Sequence, residues 1–142
     1  MYVDPEAARE VFHAGFKKLT MVGLDVTRKA LLKDDHISKL TDSKIKAYVA
    51  QSMNDYMDRH ARRNDGIRAC ALHDPLAVGI VLDRELVTTK AYHVDIETSS
   101  QLCDWQTVCD FQDRWAKPSN MNVCVDVDRE AFLKLFIDTL NR

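Results

Sequence analysis

Ala71-Leu72-His73-Asp74-Pro75-Leu76-Ala77-Val78-Gly79-Ile80-Val81-Leu82 is the stretch on which the reading of this chain turns. By pattern alone, a short apolar run fits a buried strand or a buried helix. The Asp-Pro start favours helix, with Asp74 as N-cap and Pro75 at the first helical position. The expectation is therefore a helix that is apolar all round and fully buried. At its start an imidazole stands beside a carboxylate. Histidine exchanges a proton near neutral pH. A neighbouring carboxylate binds a hard cation or orients the ring, and the positive end of the helix dipole favours its ionised form. Taken without further context, His73-Asp74-Pro75 is more often a helix cap than a catalytic pair.

Elements alternate outward from this point. Asp4 and Pro5 open a first helix carrying Ala8, Val11, Phe12 and Gly15 at helical spacing, with Gly15 or Lys17-Lys18 ending it. Leu19 to Thr27 is short, apolar and β-branched and reads as a buried strand. A short helix is expected over Asp34 to Leu40. Asp42 or Ser43 caps a longer one, with Ile45, Tyr48, Val49, Met53, Tyr56 and Met57 as its stripe. Asp58 to Gly66 reads as an exposed loop, ending in the Asn64-Asp65-Gly66 turn signal. Leu86 to Glu97, Gln106 to Asp110 and Met121 to Val127 read as strands. Asp128 caps a last helix with Ala131, Phe132, Leu135, Phe136 and Leu140 on one face. Helices interleaved with strands indicate an α/β fold, helices packed on a mixed sheet. At 142 residues the chain is expected to be a single domain over 1–142.

The net charge of −2 gives no field that would draw in nucleic acid or an anionic membrane surface. No apolar stretch approaches the roughly 18 residues of a membrane span, and no signal segment opens the chain, so the cytoplasm is the expected location. Cys70, Cys103, Cys109 and Cys124 form no C-x-x-C pair, which argues against a zinc site; they are expected to be reduced and mostly buried.

Met21-Val22-Gly23-Leu24-Asp25-Val26-Thr27, His73-Asp74-Pro75-Leu76-Ala77, Val94-Asp95-Ile96-Glu97 and Val125-Asp126-Val127-Asp128-Arg129-Glu130-Ala131-Phe132 follow one another in an informative order. It is the order found in the inosine-uridine preferring nucleoside hydrolases, and the opening Tyr2 to Ala8 resembles the helix start after that family's sugar-binding segment. The resemblance covers essentially the whole chain. It implies calcium-dependent hydrolysis of the N-glycosidic bond of ribonucleosides to ribose and base, as in purine and pyrimidine salvage. By motif, His73 is similar to the acid that protonates the leaving base and Asp74 to a calcium ligand. The family's D-x-D-x-G-x-D-D cluster and ribose-binding segment are absent, so the chain resembles the C-terminal portion, somewhat under half, of a member. One aspartate does not supply the roughly six to eight oxygens calcium takes. The chain alone is therefore expected neither to hold calcium nor to turn over substrate. The family often carries glycines after Val94-Asp95-Ile96-Glu97, where Ser99, Ser100, Asp104 and Trp105 stand here.

Other candidates have simpler readings. Asp25 and Thr27 end the expected strand, where α/β sites gather, but capping the next helix accounts for them. Arg62, Arg63 and Asp65 could approach a nucleobase from the loop, although solvated loop charges are the commoner explanation. Tyr48, Met53, Tyr56 and Met57 fit a core stripe better than a stacking platform. Asp126 and Asp128 point out of their strand, and Asp128 is needed as a cap. His13, His36, His60 and His93 have no partners at ligand spacing. Trp105 and Trp115 cover an edge or mark an interface. A non-catalytic interaction or oligomerisation domain is the competing function. In that case an uncovered apolar face would drive self-association into a homo-oligomer.

Overall fold

Asp4 opens helix α1 (Pro5–His13): its side chain accepts the Ala7 N–H at 2.8 Å, and Pro5 occupies the first turn. Ala14 closes the helix, and Gly15 follows at φ 73°, a left-handed conformation that glycine adopts without strain. The computed structural model describes residues 1–142, and these gather into two compact units. One unit comprises Met1–Met21 and Thr89–Val125; the other comprises Val22–Thr88 and Asp126–Arg142.

In the first unit, α1 packs on β5 (Val94–Ile96), which pairs antiparallel with β6 (Thr107–Cys109) in the register Val94↔Cys109. Phe12, Val94, Ile96, Met121 and Val123 form its core, flanked by Ala8, Leu19, Met21 and Tyr92. β1 (Thr20–Met21) runs parallel to β7 (Met121–Val127), and β4 (Val87–Tyr92) lies on the other side of β7. Asn120 clamps this core: its amide exchanges two hydrogen bonds of 2.9 Å with the Val94 backbone. The strand expected over Leu86–Glu97 is divided. It begins with a single tight turn, Arg84–Leu86, and breaks at His93, whose ring meets the Pro118 carbonyl at 2.9 Å. Where the family pattern carries glycines, Trp105 adopts φ 66°; its N–H closes the loop on the Glu97 carbonyl at 2.8 Å, and its ring stacks edge-on against Tyr2.

The second unit is mainly helical: α2 (Leu24–Thr27), α3 (Asp34–Ser38), α4 (Ser43–Arg63), α5 (His73–Leu82) and α6 (Arg129–Leu140). β2 (Leu31–Leu32) and β3 (Cys70–Ala71) pair antiparallel between them. Asp42 and Asp128 cap α4 and α6 as read from the sequence. α5 and α6 touch so closely at Gly79 that a Cβ there would sit 3.2 Å from the Phe132 ring. The fold class is α/β, with both parallel and antiparallel strand pairing.

Four expectations are corrected here. Leu19–Thr27 is not one strand: Gly23 bends the chain after β1, and Leu24–Thr27 is helical. Asp58–Arg63 is not loop but the end of α4, because Met57 is buried there and Arg68 ties back to Asp58; only the Asn64-Asp65-Gly66 turn lies outside. Tyr48 is not core: it is 74% exposed, and the buried α4 residues are Val49 and Met57. The buried face of α6 is Phe132, Leu133 and Ile137, so Ala131 points outward.

Asp95 is the main buried-edge charge of the first unit. Partial burial pushes its carboxyl up, but hydrogen bonds from Arg9 (2.8 and 3.1 Å), His13 (3.1 Å) and the Ile96 N–H (2.8 Å) outweigh this and hold it well below the usual carboxylate range. A carboxylate favoured in the folded state adds stability above its unfolded value of about 4 and loses it as pH falls below that. Asp95→Asn is therefore expected to lower the thermal midpoint at neutral pH, with the difference from the unsubstituted chain shrinking below about pH 4. A pH-independent difference would contradict this account.

Candidate functional site

The β2–β3 ladder builds the site. Leu31 pairs with Ala71 and Leu32 with Cys70, and the Leu72 N–H extends the pairing to the Ala30 carbonyl at 3.0 Å. This clasp places α2, which ends at Thr27 three residues before Ala30, against the start of α5. His73 is the first residue of α5, and its Nδ1 lies 2.7 Å from Thr27 Oγ1. Thr27 is 3% exposed and is the one buried polar side chain of the chain.

The hydroxyl suits every protonation state of the ring because it both donates and accepts. When the imidazole is charged, Nδ1–H donates to Oγ1. After Nε2 gives up its proton, the same bond persists. In the other neutral tautomer, the hydroxyl donates to Nδ1 and Nε2 keeps its proton. In each case the ring is held through Nδ1, leaving Nε2 as the atom that exchanges protons with a partner. Thr27 thus orients the ring, which differs from the capping role read for it from sequence. α3 begins after Lys33 instead, and Asp25 sits exposed in the first turn of α2. The helical spacing of buried Val26, Thr27 and Ala30 is the signal that could have placed Thr27 inward.

Asp74 also departs from its expected cap. α5 begins one residue before Asp74, with Leu72 at the N-cap, no side-chain cap hydrogen bond, and the first backbone bond running from Leu76 N to Leu72 O at 3.1 Å. Pro75 is then third in the helix, where no intrahelical donor is needed. The Asp74 carboxylate is therefore exposed at the positive end of α5 and is not consumed by capping. α5 is not fully buried either. Leu76, Gly79 and Ile80 face inward, while Val78, Val81 and Leu82 are 60%, 80% and 71% exposed.

Calcium requires a cage of oxygen ligands. Asp74 brings one carboxylate, and no group of three His, Cys, Asp or Glu side chains that could hold a metal gathers in the chain. The residues present do not fit a calcium site. Of the two arginines weighed as base contacts against plain solvated charges, Arg63 lines an open pocket on α4, whereas Arg62 is exposed outside that lining. Asp126 pairs with Lys29 at 2.7 Å, and Asp128 caps α6. Of the cysteines, Cys70 and Cys124 are buried, Cys109 is half-buried and Cys103 is exposed. No helix is long and apolar enough to cross a membrane.

The family model described as inosine-uridine preferring nucleoside hydrolase matches residues 1–134. The pyrimidine-specific ribonucleoside hydrolase of Salmonella arizonae is 36% identical over 142 residues, which is 99% of this chain and 45% of that protein. The corresponding Citrobacter koseri protein is 34% identical over the same shares. Among solved structures, a purine-preferring ribonucleoside hydrolase from Gardnerella vaginalis superposes with a TM-score of 0.83 at 29% identity, covering 96% of this chain and 43% of that one. A plant nucleoside hydrolase superposes with a TM-score of 0.82 at 26% identity. The chain thus spans under half the length of these relatives.

Removing the Thr27 hydroxyl while keeping its shape, in Thr27→Val, is expected to cost about 1 kcal/mol in urea unfolding. It should also release the His73 ring into rotamer averaging seen by NMR. Thr27→Ser should keep the ring ordered. A Thr27→Val chain with an ordered ring and unchanged stability would contradict the assignment.

Proposed function

This chain belongs to the inosine-uridine preferring nucleoside hydrolase family, and from that premise we propose that it carries the proton-donor part of a ribonucleoside N-ribohydrolase. The reaction is hydrolysis of the N-glycosidic bond, giving ribose and free base. His73 protonates the departing base through Nε2, because a base leaves more readily as a neutral molecule. Thr27 holds the ring while this happens. The observation that carries the reading is the 2.7 Å bond between the chain's one buried polar side chain and His73. Asp74 is proposed as one ligand of a calcium ion whose other donors are not among this chain's residues. Its uncapped, exposed carboxylate supports that role. Arg63 is the better placed of the two arginines to meet a substrate, since it lines a pocket and Arg62 does not.

The chain by itself is proposed to be inactive, since water activation on the far face of the sugar needs a carboxylate or metal partner. In the assay, inosine and uridine are offered with calcium to the isolated chain and to a chimera. In the chimera, this chain replaces the matching 45% of the Salmonella relative. The chain alone should show no turnover, and the chimera should hydrolyse uridine. His73→Ala should slow the chimera by a factor of about 100 or more. A rate near 1 per second from the chain alone, or a His73→Ala chimera at full rate, would contradict the reading.

A second reading rests on α5. Val78, Val81 and Leu82 make an exposed apolar face that no other part of the unit covers. Such a face fits a non-catalytic interaction domain that self-associates. Light scattering should then give a dimer or larger species that Val81→Lys converts to monomer. A monomeric unsubstituted chain would rule this reading out.

A further inference from the structure

The open pocket of about 750 Å³ in the second unit, which Arg63 lines, carries three arginines where a neutral ribonucleoside leaves most of that charge unmatched. One wall is a face of α4. Tyr56, Arg59, His60 and Arg63 recur there at spacings of three and four, so they lie together along one side of the helix. Arg28, the residue after α2, also lines the pocket, as does Leu31 of β2 beside its β3 partner Ala71. No acidic residue lines the pocket.

The three guanidinium groups are uncommitted. No side-chain hydrogen bond or ion pair engages the guanidinium of Arg28, Arg59 or Arg63. Arg68 in the same unit shows the alternative: Asp34 at 3.1 Å, Asn54 at 3.1 Å and Asp58 occupy it fully. Arginines in the last turns of a helix complement its negative end, which accounts for Arg59 and Arg63 in part. It does not account for Arg28, since α2 has only four residues and little dipole to complement. Nor does it explain why three like charges converge on one concavity with no anionic side chain among them. Like charges gathered without a counter-ion carry a repulsive cost that a bound anion relieves.

We propose that this pocket binds a small phosphomonoester. The guanidinium fork matches phosphate oxygens bidentately, and three cations suit a group carrying up to two negative charges near neutral pH. Tyr56, Leu31 and Ile67 supply an apolar side for the organic portion, and the volume lies within the range of small-ligand sites. The His60 Nδ1–H donates to the Ile67 carbonyl at 3.0 Å, which fixes the turn that carries Asn64 and Ile67 into the lining.

The test titrates the 142-residue chain, followed by NMR at constant ionic strength because exposed charges are screened by salt. The probes are inorganic phosphate, uridine monophosphate and uridine. Uridine monophosphate should saturate the pocket and shift the side-chain Nε resonances of Arg28, Arg59 and Arg63. Uridine should bind at least about tenfold more weakly. Inorganic phosphate competing as well as the nucleotide would support the same site with the free ion as its source. Arg59→Gln and Arg63→Gln should each weaken binding about tenfold, whereas Arg62→Gln, outside the lining, should leave it within about twofold. Three outcomes would overturn the proposal: no saturable binding, uridine equal to its monophosphate, or Arg62→Gln as damaging as the pocket variants. If an arginine variant loses its folded spectrum, the location of the shifts in the unsubstituted chain decides the matter. Shifts confined to arginines other than these three overturn it too.

Discussion

The two-residue ladder between Leu31–Leu32 and Cys70–Ala71 is the constraint on which the site depends. It is short, but it joins segments some forty positions apart and fixes the distance from Thr27 to His73 through backbone bonds at both ends. The flanking elements inherit their placement from it: α2 ends just before β2, and α5 begins just after β3. Buried Leu32, Cys70 and Leu72 secure the ladder in apolar surroundings, where its hydrogen bonds are shielded from competing water. The hydroxyl–imidazole bond then forms at a partly buried position, which favours a single ring orientation.

The same arrangement explains why α5 is chemically and physically lopsided. Its first turn presents an imidazole and a free carboxylate. Its inner face packs so tightly that Phe132 lies 3.2 Å from where a Gly79 Cβ would stand. Its outer face leaves three large aliphatic side chains in water. A helix that is apolar all round belongs between two layers. Here one layer is supplied by α6 and the Arg84–Leu86 turn, and the other face is open. The chain that carries them spans 45% of the Salmonella relative it matches.

Much of the fold was legible because local chemistry wrote it. Asp4-Pro5, Asp42 and Asp128 cap the helices they were expected to cap, and β7 spans Met121–Val127 as its alternation indicated. What was not legible depended on tertiary partners. Leu19–Thr27 has strand composition, yet Gly23 redirects it and the contact with α5 favours a turn of helix. Asp58–Arg63 is polar enough for a loop, yet buried Met57 carries the helix through it. At the candidate site, His73 and Asp74 stand out by motif and Thr27 as the end of the Met21–Thr27 string. Their pairing across 46 positions was not, because no local pattern encodes it. An Asp-Pro start normally signals a cap, but Asp74 does not cap, because the helix closes a residue earlier on the Leu72 carbonyl.

The most direct measurement is the proton spectrum of the unsubstituted chain in the region of slowly exchanging hydroxyl and imidazole protons. A protected proton bridging Thr27 Oγ1 and His73 Nδ1, carried by either atom and with cross-peaks to both residues, is the result predicted by a ring anchored through Nδ1. Absence of that proton, together with a His73 ring averaging over its rotamers, would contradict the account at its centre.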